Sequence, residues 1–449
     1  MNTELWNKII DYDFDSPMRE YGFSTRLANE NYWTKNFTKK AILEYKKFMY
    51  LAAVSEMMVS PSEIVDVVWH QHLVFTQSYS DFCRVLGKQI QHVPSTHSHA
   101  DAEKFQQAKE RTNRLYGSVF GEQPREVWDY PGMFDGLQLK KAKLKIRGFV
   151  LIGILIFAFM VIPSYWLLRP VYVQIGNPDF IIGYIILIGL AISGLQIYSR
   201  SRLSKMLKQI DERCFVFDLD PMEVVYLESQ EVSNVINGVI NQMVFEQKIQ
   251  VATDHALQSV KSSKPTTLAE YTVMETLERT GQINYQELLK ILKDKPVFAN
   301  TVKCMDAFNK YFIKSIKFSR LFYFNFGVLS IVAMLGFVRL LTGLFRNRPV
   351  EQLAVLMIVL LIVIIVGLNR LTRLMSTRIV PNFYRQTIQP ENSQNDWGWQ
   401  YFRSGTAVLM PAFAPLVMHV EKNGADTGSG SCGSSCGSSC SSCGGCGGD

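Results

Sequence analysis

Four apolar runs interrupt a chain that is otherwise patterned for amphipathic helices, and they set its architecture. Residues 148–168 and 180–198 carry no charged side chain and are separated by a short Arg-Pro and Gly-Asn-Pro turn. A helix rises 1.5 Å per residue and a hydrocarbon core is about 30 Å thick, so roughly 20 apolar residues suffice to cross it. The first two runs therefore predict a transmembrane helical hairpin. Residues 321–338 lie between Arg320 and Arg339, and residues 353–368 are shorter but intensely aliphatic. They predict a second hairpin, with Arg339 snorkelling to lengthen its first arm. A fifth stretch, 405–420, is apolar but short and contains Pro411 and Pro415, which predicts a segment at the membrane interface or packed on protein.

Orientation follows from basic residues, which are retained on the cytoplasmic side. Lys140, Lys141, Lys143, Lys145 and Arg147 precede the first run, and Arg200, Arg202, Lys205 and Lys208 follow the second, whereas the turn between them has only Arg169. Lys310, Lys314, Lys317 and Arg320 precede the third, and Arg370, Arg373 and Arg378 follow the fourth, although Arg346 and Arg348 in the second turn blunt the contrast. Both termini are expected in the cytoplasm, with the chain integral to a bacterial inner (plasma) membrane. The first fifteen residues are mixed and acidic, unlike a cleavable signal.

The expected fold is mainly α: a polytopic membrane protein with two transmembrane hairpins and two helical cytoplasmic domains. Its parts are a cytoplasmic domain at 1–147, a hairpin at 148–198, a cytoplasmic insert at 199–320, a hairpin at 321–368, a C-terminal region at 369–426 and a tail at 427–449. Composition agrees: 47% of the 449 residues are hydrophobic and 19% charged, against a usual charged share of about 25%. That excludes a single soluble domain. The net charge of +7 reflects Lys and Arg flanking the apolar runs, so it is topological and no nucleic-acid partner is expected. No Gly-rich phosphate loop, Gly-x-Ser-x-Gly or kinase motif set is present, and no apolar run holds a Lys, Asp, Glu or His that would mark an ion path.

In the N-terminal domain, spacing predicts a helix near 38–58 with Ile42, Tyr45, Met49 and Ala52 on one face. Ser60-Pro61-Ser62-Glu63 predicts the start of the next, with Ser60 capping, Pro61 in the first turn and Glu63 closing a capping box, running on toward Phe82. Five of the seven histidines fall between His70 and His99. On that helix Asp66 and His70 share a face, while His72 points about 160° away toward Tyr79 and Cys83, so the Trp69-His70-Gln71-His72 run cannot clamp one metal. Asp66, His70 and His92 can form a site for zinc or iron. The plainer alternative has Asp66 orienting a buried His70, His72 in the core, and His97 and His99 in a solvated loop.

Phe48, Pro61-Ser62, Val65-Asp66, Trp69-His70-Gln71-His72-Leu73, Tyr79, Cys83-Arg84, Gly87 and His92-Val93-Pro94 resemble the motif of the glycine-rich domain-containing proteins, known in plants and with bacterial relatives. The resemblance continues through Arg111-Thr112, Tyr116, Phe120-Gly121 and Trp128, so it covers roughly 38–130. It implies no catalytic activity, and the RNA-binding module of the plant members has no counterpart here.

In the insert, Asp220-Pro221-Met222-Glu223 predicts a capped helix, followed by a helix through Val235, Val239 and Ile240 and a short strand at Lys248-Ile249-Gln250-Val251. That order is compatible with a winged-helix-like unit, and Glu223, Glu228, Glu231 and Glu246 favour a protein-contact or structural role over DNA binding. Helices at 268–279 and 285–292 complete it. The tail holds eight Gly, eight Ser and five Cys in 23 residues and cannot build a core. Cys432, Cys436, Cys440, Cys443 and Cys446 are separated by three, three, two and two residues, close enough to converge on Zn, Cu(I) or an iron–sulfur cluster in a reducing compartment. The alternative is a flexible end whose thiols take an acyl chain or do nothing. The order of parts after Asp220 is similar to an uncharacterised bacterial family of membrane proteins with Gly- and Cys-rich C-termini, although here Ser replaces much of the Gly. The leading expectation is a non-enzymatic interaction or assembly component with other proteins as partners. The alternatives are a metal-dependent enzyme using Asp66, His70 and His92, or metal sensing or delivery by the tail.

Overall fold

Apolar residues at helical spacing dominate the chain, and the computed structural model is correspondingly mainly helical. It describes residues 2–93, 99–252, 256–260, 263–387 and 396–426. The N-terminal unit runs α1 (Thr3–Ile10), α2 (Phe23–Asn31), α3 (Lys35–Val54), α4 (Glu63–Val74), α5 (Thr76–Leu86), α6 (His99–Phe120) and α7 (Arg125–Trp128). Thr34 caps α3 by accepting from the Phe37 N–H, so this helix starts and ends earlier than its apolar spacing predicts. The start of α4 also differs: Ser62, not Ser60, accepts from the Val65 N–H, and Pro61 stands outside the helix. Ser60 is engaged elsewhere, since both its N–H and its carbonyl meet the Thr112 hydroxyl of α6 at 2.9 Å. Nor does α4 continue to Phe82. It stops at Phe75, whose backbone leaves helical geometry (ψ 63°), and α5 begins one residue later. The break lets α5 fold back on α1 and α4, placing Phe82 with Tyr12, Phe14 and His72 in an aromatic core.

Four helices are long and apolar enough to cross a membrane: α8 (Ile146–Tyr172), α9 (Asn177–Lys208), α15 (Ile316–Leu344), and a fourth from Glu351 to Thr387. The last comprises α16 (Glu351–Leu374), a π-helical turn (Met375–Ile379) and α17 (Val380–Thr387). All four extend beyond the uncharged runs. The central helix is α15, which packs against α8, α9 and α16. Tyr184 of α9 donates to the Val332 carbonyl (2.8 Å), and Tyr172 of α8 donates to the Leu335 carbonyl (3.0 Å). Arg339 does not snorkel. It is 7% exposed and its guanidinium donates to the carbonyls of Tyr172 and Ile175 and to Asn177 Oδ1, over the Phe180 ring. Terminal helix carbonyls lack intrahelical partners and carry partial negative charge, so a buried cation suits them. The turn after α8 thereby meets the end of α15, and Asn177 also donates to Pro349 in the following turn. At the opposite end a β-bridge joins Lys141 to Ser315, just before α8 and α15.

The insert contains α10 (Pro221–Ser229), α11 (Val232–Phe245), α12 (Leu268–Thr280), α13 (Tyr285–Lys293) and α14 (Pro296–Ile313). Asp220 and Glu223 form the expected capping box. Three short antiparallel strands, β1 (Ile249–Val251), β2 (Ala256–Ser259) and β3 (Ile283–Asn284), lie in the order β1-β2-β3, with Gln250 opposite Gln258 and Leu257 opposite Ile283. The segment 405–420 packs on protein: Phe413, Leu416 and Val417 are buried, with Phe413 edge-on to Tyr285 at 5.1 Å. One buried cluster runs from Ile9 through the insert to Val417 and takes in the adjoining ends of α9, α15 and α16, so these elements share a core. His97 and the tail cysteines Cys432, Cys436, Cys440, Cys443 and Cys446 lie outside the described residues.

Candidate functional site

The run from Trp69 to His72 sends each ring to a different task. His72 is fully buried; its Nδ1 meets Tyr45 Oη at 2.9 Å and its Nε2 meets Ser78 Oγ at 3.1 Å. Burial pushes its pKa down to about 3, which keeps the ring neutral. Trp69, ten residues before Tyr79 and on the other side of the α4–α5 break, donates its indole N–H to the Tyr79 hydroxyl at 3.1 Å. Tyr79 in turn donates to the Ile90 carbonyl. This relay fixes the loop after α5 two residues before His92, whose ring lies edge-on to Trp69 at 4.7 Å.

Asp66 and His70 are one helical turn apart on α4, as their spacing requires, and the pinned loop delivers His92 to the same place. His92 Nε2 is 2.9 Å from Asp66 Oδ1, and His70 Nδ1 is 3.2 Å from Asp66 Oδ2 and 2.9 Å from the Asp66 carbonyl. The two imidazoles face each other edge-on at 4.3 Å. One ligand atom from each of the three residues lies within 4.8 Å of the others. His92 is largely enclosed, Asp66 half-buried and His70 exposed at 57%, so the buried His70 of the plainer alternative is not found. The reason is its position on the outer side of α4, opposite His72. A carboxylate and a carbonyl oxygen only accept, so both imidazole nitrogens that face Asp66 carry protons when nothing else is bound there.

Asp66 and His92 open onto a cleft of about 530 Å³. Its walls are the 56–63 segment, the 88–93 loop and Lys104 and Phe105 of α6. Thr112 holds the first wall to α6 through Ser60, and Arg111 adds a bond to the Met58 carbonyl. Lys88 is occupied at the end of α3, donating to the carbonyls of Ala52 (3.1 Å) and Ser55 (2.8 Å). The contribution of α6 was not legible from periodicity, because its polar sequence gives no sign of which side meets α4. His99 opens α6 instead of lying in a loop.

A second polar centre sits behind the cleft. Glu44 is 2% exposed and accepts from Tyr116 Oη (2.8 Å), Trp128 Nε1 (2.8 Å) and Lys47 Nζ (2.8 Å). With all three donors satisfied and its own carboxylate buried, it ties α3, α6 and α7 together as structure.

A family profile described as UCP032817-like matches residues 17–118. Glycine-rich domain-containing protein 1 of Arabidopsis thaliana is 24% identical over 121 residues, which cover 25% of this chain and 15% of that protein. No solved structure matches the chain. The N-terminal region is thus similar to these proteins, and the matched span 17–118 contains Pro61, Ser62, Asp66, Trp69 and His92, which line the cleft.

Proposed function

We propose that this chain is a polytopic protein of the bacterial plasma membrane that displays its helical soluble elements and its thiol-rich tail in the cytoplasm as a non-enzymatic interaction or assembly component. The observation that carries this reading is the arrangement of the four apolar helices. The segments entering α8 and α15 are bridged at one end through Lys141 and Ser315, and both inter-helix turns meet around Arg339 and Asn177 at the other. If lipid surrounds the bundle, every soluble element shares one side. The basic residues that flank the bridged end, Lys140 to Arg147 and Lys310 to Arg320, favour the cytoplasm for that side. The exposed apolar faces support lipid contact: Leu155, Phe159, Leu190, Ile197, Ile358 and Ile362 are all exposed.

The division into an N-terminal domain, an insert and a C-terminal region belongs to this reading, with the insert's helices and small sheet serving as a winged-helix-like protein-contact unit. Labelling with a membrane-impermeant maleimide tests the layout, because Cys83, Cys214 and Cys304 are buried and the other five cysteines all belong to the tail. In spheroplasts of cells expressing the full chain, label is expected only after permeabilisation. Label on the tail of sealed spheroplasts overturns the topology.

A further inference from the structure

We infer that Asp66, His70 and His92 form a binding site for a borderline divalent transition ion of the zinc or ferrous class, with its remaining coordination positions open to the adjoining cleft. This goes beyond the display role and does not depend on membrane topology. Three features of the arrangement support it. First, the donor set of two imidazoles and one carboxylate is what such ions take when some positions are left for water or an exchangeable ligand.

Second, the spacing fits. With bonds of about 2.0–2.2 Å, neighbouring ligand atoms around such an ion stand roughly 3.0–3.5 Å apart. The His92–Asp66 and His70–Asp66 separations are 2.9 and 3.2 Å, and the triplet closes within 4.8 Å. The longest of these separations has to close by little more than 1 Å for all three atoms to reach one centre. An ion there replaces the two N–H protons that Asp66 otherwise accepts, so the group exchanges one satisfied state for another.

Third, the site is built in advance. Asp66 and His70 are held at one-turn spacing by α4, and the third ligand comes from a loop pinned by the Trp69–Tyr79–Ile90 relay. A chance surface pairing of an Asp and a His has no such support, whereas metal ligands are commonly fixed by surrounding hydrogen bonds. No lysine or arginine side chain pairs with Asp66 among the described residues; its ion-pair partners are the two histidines. The cleft beside Asp66 and His92 gives a ligand access to the open positions.

The test uses the full chain in detergent with Cys432, Cys436, Cys440, Cys443 and Cys446 replaced by Ser, which removes the thiolate background. Equilibrium dialysis against Zn(II), and Co(II) titration followed by visible absorption, are expected to show a single equivalent bound. His92→Ala and Asp66→Ala should each weaken uptake by more than about tenfold. His70→Ala supplies the control for folding, because the exposed ring can be removed without disturbing the core. It should weaken uptake equally while leaving the melting temperature of the metal-free protein unchanged. Absence of uptake by the parent chain overturns the site, as does uptake that survives His70→Ala and His92→Ala.

Discussion

At the residue scale, Glu44 shows how a charged side chain inside a helix can be part of the core. The apolar face of α3 was readable from Ile42, Tyr45, Met49 and Ala52, but that pattern assigns Glu44 to solvent. Its donors come from Tyr116 and Trp128, 72 and 84 residues away, and no local spacing announces them. Glu44→Ala takes the acceptor from the Tyr116 hydroxyl and the Trp128 indole N–H and the counter-charge from Lys47, which keeps only its bond to Tyr116 Oη. Removing one partner of such a network should cost about 3 kcal/mol or more, read as a lower melting temperature together with a red shift of tryptophan emission. Glu4→Ala, which breaks the exposed pair with Lys8, should leave the melt unchanged, because solvent screens that pair. Equal effects from the two substitutions would contradict the structural role of Glu44. The Asp66–His70 relation was legible for the opposite reason: both residues lie within one turn of one helix. His92 could be suggested from composition alone, but the relay that aims it could not.

At the element scale, the apolar runs located all four long helices, whereas their packing partners were not written in the runs. The helices pair across the two hairpins, with α15 inside and α8 outside, its apolar stretch left uncovered by protein, because α15 offers small residues where neighbours approach. At Gly336 an added Cβ would collide with the Tyr184 hydroxyl and the Met357 sulphur. Tyr184 cannot yield easily, since its hydroxyl is bonded to Val332 on the same helix. Gly336→Ala should therefore destabilise the bundle by about 1–3 kcal/mol. Gly327→Ala, one helix face away where nothing lies within 4 Å, should be neutral or slightly stabilising, because Ala is the better helix former. The comparison is made on thermal melts in the same detergent, and a Gly336→Ala chain that melts with the parent would show that α9 and α16 do not seat against Gly336. Arg339 follows the same logic. Sequence placed it at a helix end and sent its charge to water, but the unpaired carbonyls ending α8 are nearer.

At the scale of the whole molecule, the N-terminal unit and the insert meet through polar groups that neither unit's own pattern reveals. Glu223 completes the capping box of α10, which the Asp-Pro-x-Glu spacing predicted, and its Oε1 also accepts the Lys35 N–H at the start of α3 (2.8 Å). Lys35 itself pairs with Asp220 at 2.7 Å, and Lys295 of the insert reaches Glu20 at 2.6 Å. The division at about residue 147 that the apolar runs suggest is thus crossed by a joint at the N-termini of two helices. Burial raises the Glu223 pKa from 4.5 to about 8, Asp220 adds to the rise, and the backbone N–H groups of Lys35 and Asp220 oppose it. In that interval the folded chain holds a proton that the unfolded chain has released. Stability must then fall as pH rises from about 4.5 and level off above about 8. Denaturation midpoints of the full chain measured across this range should decline, and Glu223→Gln, which stays neutral, should lose this part of the slope even though its amide sacrifices one acceptor and lowers the starting stability. A variant whose midpoints decline as steeply as the parent's would move the pH dependence to another group and leave the joint between α3 and α10 without a titrating centre.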